Sequence, residues 1–162
     1  MKTIYLVRHA HAEAKNARTD FFRILDEEGR KEAVKTGQML LEKNIMPEQI
    51  FASSSKRTME TATIIANEIK YPSKNIKAEE ALYLANEHQY LELIQKINNN
   101  INKIMISGHN PAISGFAYAL SGTFSNNMPT SSCVVLTINT TTWESINWRT
   151  AKVIDYIEVP IS

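Results

Sequence analysis

The chain has 162 residues, 43% of them hydrophobic, which is enough for one compact domain with its own core and too few for two ordinary ones. Eighteen basic residues stand against seventeen acidic ones, so no long-range field draws the protein to nucleic acid or to an anionic membrane, and any anion site has to be local. Arg8 interrupts the N-terminal apolar run well short of a signal-peptide core, no later stretch approaches a membrane span, and the single cysteine, Cys133, has no partner for an internal disulfide; the reading is a soluble cytoplasmic protein.

TIYLVR, residues 3–8, is β-branched and aliphatic without strong alternation, as suits a short strand buried on both faces. After a polar stretch, the spacing of Ala33, Gly37, Leu40 and Leu41 predicts a helix from about Asp26, with acids early and Lys43 late as the macrodipole prefers. EQIFASSS reads as a second strand running into serines. In KRTMETATIIANEI, Ala62, Ile65, Ala66 and Ile69 share one face of a second helix, whose first turn holds Arg57. A weak strand is expected near 75–78 and a helix over EHQYLELIQKI; the Asn-rich NNNINK after it is a break, not a domain linker. KIMIS, residues 103–107, is another buried-type strand, followed by a helix with Asn110 as N-cap, Pro111 as first helical residue and Ile113, Phe116, Ala117 and Leu120 inward. CVVLTIN, WESINWR and AKVIDYIEV read as strands separated by turns, with Trp143 and Trp148 as packing residues.

Strands alternating with helices imply an α/β fold, a three-layer α/β/α sandwich with a mostly parallel sheet finished by antiparallel strands, in one domain over 1–162. In such sheets ligands bind beyond the carboxyl ends of the strands. Three junctions are expected to meet there: RHAHA after the first strand, SSSKRT after the second and SGHNP after KIMIS, bringing Arg8, His9, His11, Arg57 and His109 together. Lys15, Asn16 and Lys56 are read as surface residues near them.

Arginines offer planar, always-charged forks that match phosphate oxygens, and helix amino ends add backbone N–H groups. A neutral imidazole held against a bound phosphoryl group can attack phosphorus and divide one hard displacement into two through a phosphohistidine. Arginine and histidine donors stabilise the charge on the transferring group, so no metal and no other cofactor is expected. Cys133 does not fit a thiol phosphatase of the Cys-x5-Arg type, because the sixth residue after it is Asn139; in its β-rich run it reads as core.

LVRHAHAE, SSSKRTMETA and SGHNP resemble, in order, the three signature segments of the histidine phosphatase superfamily, and the short chain with LYLAN and GHNP is similar to its SixA-type phosphohistidine phosphatase branch. The resemblance runs from about Thr3 to Leu120. It implies a phosphoglycerate mutase-like fold, His9 as the phosphorylated nucleophile, Arg8 and Arg57 as phosphate ligands, and His109 completing the site as a catalytic and phosphate-binding residue. The partner it implies is a phosphorylated protein side chain or a small phosphate ester.

Two positions depart from the family pattern. Ala10 stands where the family has glycine after Arg-His. The family's general-acid glutamate falls, by register, near Tyr83 or Leu84; Glu80 is the first candidate in its place, with Glu13 and His11 behind it. Weak acid provision favours phosphoramidates, because a protonated imidazole leaves far more easily than an alkoxide. Two other readings stay open: a non-catalytic phosphate or phosphoprotein-binding module, and a metal site in HAHAE, where His9, His11 and Glu13 would need His88 or His109 as further ligands.

Overall fold

The computed structural model describes residues 1–160. Strand β1 (Lys2–Arg8) explains the layering: Ile4 and Leu6 pack into one apolar core, Tyr5 and Val7 into another on the opposite face. A strand without polar alternation has to be covered on both sides, so it sits inside the sheet. β1 pairs in parallel with β4 (Lys103–Gly108) and antiparallel with β5 (Cys133–Ile138). With β2 (Gln49–Ser53), β3 (Lys77–Glu79) and β6 (Ala151–Ile157), the sheet runs β3-β2-β4-β1-β5-β6. β1 to β4 are mutually parallel and β6 pairs antiparallel with β5, so β5 alone opposes the rest of the sheet.

Helices α1 (Glu27–Glu42) and α2 (Lys56–Glu68) cover one face, α3 (Glu87–Gln95) and α4 (Ala112–Ser121) the other. Asp26 caps α1 by accepting from the Gly29 N–H at 2.8 Å, which satisfies one of the free amides of the first turn. α1 buries Ala33, Gly37 and Leu40, while Leu41 is 37% exposed, one position off the predicted face. α2 buries Ala62, Ile65 and Ala66, with Ile69 buried just past its end. A Cβ on Gly37 would meet the side chain of Glu68, so glycine sets the close approach of the two helices.

Three expectations need correction. WESINWR is not a strand: Trp143 is fully buried and donates its indole N–H to the Ile101 carbonyl at 2.7 Å, and the segment around it is built of turns. Closing the end of the core with a satisfied indole outweighs strand propensity here. The weak strand lies at Lys77–Glu79. α4 starts at Ala112, with Pro111 at the cap position; Asn110 does not cap it but donates to the Asn127 side chain and the Met128 carbonyl, both at 2.9 Å. Cys133 lies in β5 fully buried, and burial pushes its thiol pKa far up, as a core residue requires and a nucleophile does not. Among the described residues no helix is long and apolar enough to cross a membrane.

Candidate active site

The order β3-β2-β4-β1 places four parallel carboxyl ends side by side. β1 ends at Arg8 and passes to His9, whose N–H donates to the Gly108 carbonyl at the end of β4 at 3.0 Å. β2 ends at Ser53 and leads through Ser55 into α2, with Arg57 in its first turn; β4 leads to His109; β3 leads through a single helical turn to Tyr83. Arg8, His9, Arg57 and His109 line one cavity of about 410 Å³, together with Lys15, Asp20, Arg23, Tyr83, Asn110 and an apolar border that includes Leu84 and Pro111. The three predicted junctions therefore meet, as parallel topology requires.

The His9 and His109 rings meet edge to face with centroids 5.4 Å apart. His9 Nδ1 lies 2.8 Å from the Ala10 carbonyl, an acceptor, so this nitrogen carries the proton and Nε2 keeps the free lone pair. Burial above all, with the charges of His109, Arg57 and Arg8 adding to it, pushes the His9 pKa down to about 3 against the opposing pull of that carbonyl. His109 is pushed down to about 4, by burial first and then by Arg57. Its Nε2 is 2.8 Å from Ser53 Oγ. Both rings are therefore neutral at pH 7.

Arg57 is 7% exposed, and both its terminal nitrogens donate to Asp20, Nη1 to the backbone carbonyl at 2.8 Å and Nη2 to Oδ2 at 3.1 Å. Arg8 donates through Nη1 to the Met128 carbonyl at 2.9 Å, the same carbonyl that Asn110 holds. The Nε atoms of Arg8 and Arg57 are buried and have no acceptor among the described residues. Buried donors left unpaired are costly, and the oxygens of an anion are the kind of acceptor that would satisfy two such guanidinium groups.

Among the described residues, Asp20 is the only carboxylate lining the cavity. Its Oδ2 accepts from the Tyr83 hydroxyl at 2.6 Å and its Oδ1 from Arg23 Nη1 at 2.8 Å. Tyr83, with the guanidinium groups of Arg23 and Arg57, holds this carboxyl far below the usual carboxylate range, and Asp20 in turn raises the Tyr83 pKa. Three guanidinium groups against one carboxylate leave the cavity strongly cationic, although the whole chain carries only +1.

The other predicted residues lie elsewhere. Glu80 is exposed at the start of its helical turn, outside the cavity. The Glu13 carboxylate accepts from Arg18 and from the Ile24 N–H. His11 is exposed and bonds through Nδ1 to Asp26 Oδ2 at 2.5 Å; His11, Asp26 and Glu28 bring ligand-type atoms within 4.8 Å of one another, but at the amino end of α1, which favours anions, and without His9 or His109. His88 stacks edge to face on Trp148, also away from the cavity. Ala10 is fully buried among Leu25 and Ala33, and its φ is not positive, so a methyl group fits where the family has glycine. Its N–H donates to Thr61 Oγ1 at 2.9 Å.

Asp20, Arg23 and Tyr83 were not singled out as site residues by the sequence. The signal was TDFFR, an acid and a base three residues apart in an aromatic stretch between the first strand and the first helix; Tyr83 lay at the register assigned to the missing acid.

The profile of the histidine phosphatase superfamily (branch 1) matches residues 4–83, the stretch from β1 to Tyr83. Over that stretch the chain resembles this superfamily, and its fold extends the likeness. SixA from Agrobacterium tumefaciens, assigned as a phosphohistidine phosphatase, superposes with a TM-score of 0.83 at 25% identity over 98% of both chains. The protein histidine phosphatase SixA solved with tungstate superposes at 0.82 and 19% identity over 96% of both. These likenesses support the SixA-type branch within the superfamily and a phosphoglycerate mutase-like fold. Among curated relatives, a 2,3-bisphosphoglycerate-dependent phosphoglycerate mutase of Arthrobacter sp. (strain FB24) is 39% identical over 64 residues, 38% of this chain and 26% of that protein. The chain spans about a quarter of the length of the curated relatives it matches.

Proposed function

We propose that this chain is a metal-independent phosphatase that works through a phosphohistidine on His9, with a phosphorylated protein side chain or a small phosphate ester as substrate. The observation that carries the reading is the pairing of a neutral, oriented imidazole with two buried guanidinium groups whose Nε donors lack acceptors among the described residues, all in one cavity. Three phosphoryl oxygens entering the cavity accept from Arg8, Arg57 and His109, while His9 Nε2 faces phosphorus. The lone pair forms the N–P bond as the bond to the leaving group breaks, and the leaving group departs with its electron pair, carrying the proton already on the nitrogen of a phosphoramidate or, for an ester, taking one from solvent. Water then attacks the phosphorylated His9, the N–P bond breaks, and inorganic phosphate leaves.

Burial serves this sequence twice. It keeps His9 unprotonated, so the nucleophile is ready at neutral pH, and it strengthens each donor to the transferring group by excluding water. The cavity carboxylate, Asp20, is tied to two arginines and a tyrosine, so it is a poor proton donor. Phosphoramidates, whose imidazole or amine leaves already protonated, are therefore favoured over alkyl esters.

The test is turnover of phosphohistidine, phosphoramidate, an aryl phosphate and an alkyl phosphate, with and without a chelator. Turnover that falls in about that order, survives chelation and leaves an acid-labile phosphorylated protein on quenching supports the reading. Activity that needs an added divalent metal, or tight vanadate binding with no hydrolysis of any substrate, overturns it; the latter marks a binding module.

A further inference from the structure

We propose that Asp20 is the positioning residue of this site: it holds the two terminal nitrogens of Arg57 so that the guanidinium presents its Nε edge to the phosphoryl group. The inference rests on the phosphoryl-transfer reading of Arg57 given above.

A guanidinium ion can bind an anion through the end formed by its two terminal nitrogens or through the side that includes Nε, and a long side chain does not choose by itself. Here the end is occupied twice from a single residue: the Asp20 carbonyl takes Nη1 at 2.8 Å and its carboxylate takes Nη2 at 3.1 Å. Nε is left buried and without an acceptor among the described residues. Asp20 is fixed in turn by Arg23 at 2.8 Å and the Tyr83 hydroxyl at 2.6 Å, and Tyr83 packs edge to face on His109 with centroids 5.8 Å apart. One carboxylate thus ties the loop between β1 and α1, the first turn of α2 and the segment after β3 into a single frame around the cavity.

Three alternatives make different predictions. A proton donor would matter most for poor leaving groups. A carboxylate that merely competes with phosphate for Arg57 would slow the enzyme, and removing it would tighten anion binding. A purely structural contact would lower stability by the same amount whether or not Arg57 is present. A positioning residue acts through Arg57, and chiefly on the transition state, where geometry is most demanding.

The experiment is a double-mutant cycle on the full chain, with Asp20→Asn, Asp20→Ala, Arg57→Ala and Asp20→Ala/Arg57→Ala. An aryl and an alkyl phosphate report kcat and KM, orthovanadate reports anion affinity, and thermal melts report folding. Asp20→Ala is expected to lower kcat by roughly 100-fold, the loss a displacement of about 1 Å of a positioned group produces, with a smaller change in KM. Asp20→Asn keeps the size and one acceptor oxygen and is expected to fall between, so it serves if the alanine variant folds poorly. The loss should be equal for both esters and should vanish in the Arg57→Ala background. Tighter vanadate binding in Asp20→Asn, a loss confined to the alkyl ester, or an undiminished loss without Arg57 overturns the proposal. If Arg57→Ala is itself unimpaired, the phosphoryl reading of Arg57 falls first; if Arg57→Ala is crippled and Asp20→Ala is normal, this inference alone falls.

Discussion

The cavity has two walls of different origin. One is the row of strand ends, Arg8, His9 and His109, the last backed by the buried Ser53, fixed by the sheet and its parallel register; the other is the loop between β1 and α1, which brings Asp20 and Arg23 across the cavity from a stretch with a single helical turn. The first wall is held by the backbone hydrogen bonds of four strands and two apolar cores; the second is tied to the rest of the cavity by the side-chain contacts of Asp20 with Arg57 and Tyr83, and to itself by Arg23 and by backbone bonds such as Glu13 N–H to the Ile24 carbonyl. Chemistry that needs a nucleophile at a fixed place belongs on the first wall. The second wall trims and orients what the first presents.

His9→Ala tests that division most severely. It should abolish turnover of every substrate while the thermal melt stays cooperative; residual activity near the native rate would move the nucleophile elsewhere. Next comes Arg57→Ala, which should lower kcat/KM by about 10² to 10³, the cost of losing a donor to the transferring group, against a smaller loss for Arg23→Ala, whose guanidinium serves Asp20. Equal losses in steady-state kinetics would erase the difference between the two arginines.

Stability against pH reads the first wall through its histidines. Both fold with pKa values, about 3 and about 4, below the unfolded value of about 6.5, so between these limits the unfolded chain binds more protons and stability falls as the pH falls. The contribution is complete above about pH 6.5, and each histidine gives up as much as about 1.4 kcal/mol per pH unit within the window. Chemical denaturation at pH 7 and pH 5 should show the decline, and His9→Gln should remove part of it. A flat profile would mean that the rings are solvated.

Smaller effects are expected at the edges. Ser53→Ala removes the hydroxyl 2.8 Å from His109 Nε2 and should lower kcat by about fivefold, as expected for a lost hydrogen bond of about 1 kcal/mol. Leu84, 83% exposed with a φ of 57°, lies in the left-handed region that suits glycine; Leu84→Gly should change stability by no more than about 1 kcal/mol in either direction, relief of strain being set against a more flexible unfolded chain.

The strand ends were legible because burial on both faces writes an unmistakable pattern: TIYLVR and KIMIS could only be inner strands, and whatever followed them had to emerge at one edge. The failures share a cause. WESINWR has the apolar residues of a strand, but Trp143 closes the core from a turn, a tertiary demand that local pattern does not carry. Asn110 looks like a cap, yet it is drawn to Met128 and Asn127, eighteen and seventeen residues away. Glu80, Glu13 and His11 were acid candidates by proximity in sequence, and none of them lines the cavity.

By itself, the sequence determined the layered α/β architecture and the meeting of Arg8, His9, Arg57 and His109, because periodicity and parallel topology are local properties with global consequences. Only the tertiary structure decided which carboxylate faces the cavity, because a loop without internal periodicity takes its shape from the partners it finds. Asp20 found Arg57, thirty-seven residues on, and Tyr83, sixty-three residues on. No spacing rule joins residues that meet only after the sheet has formed.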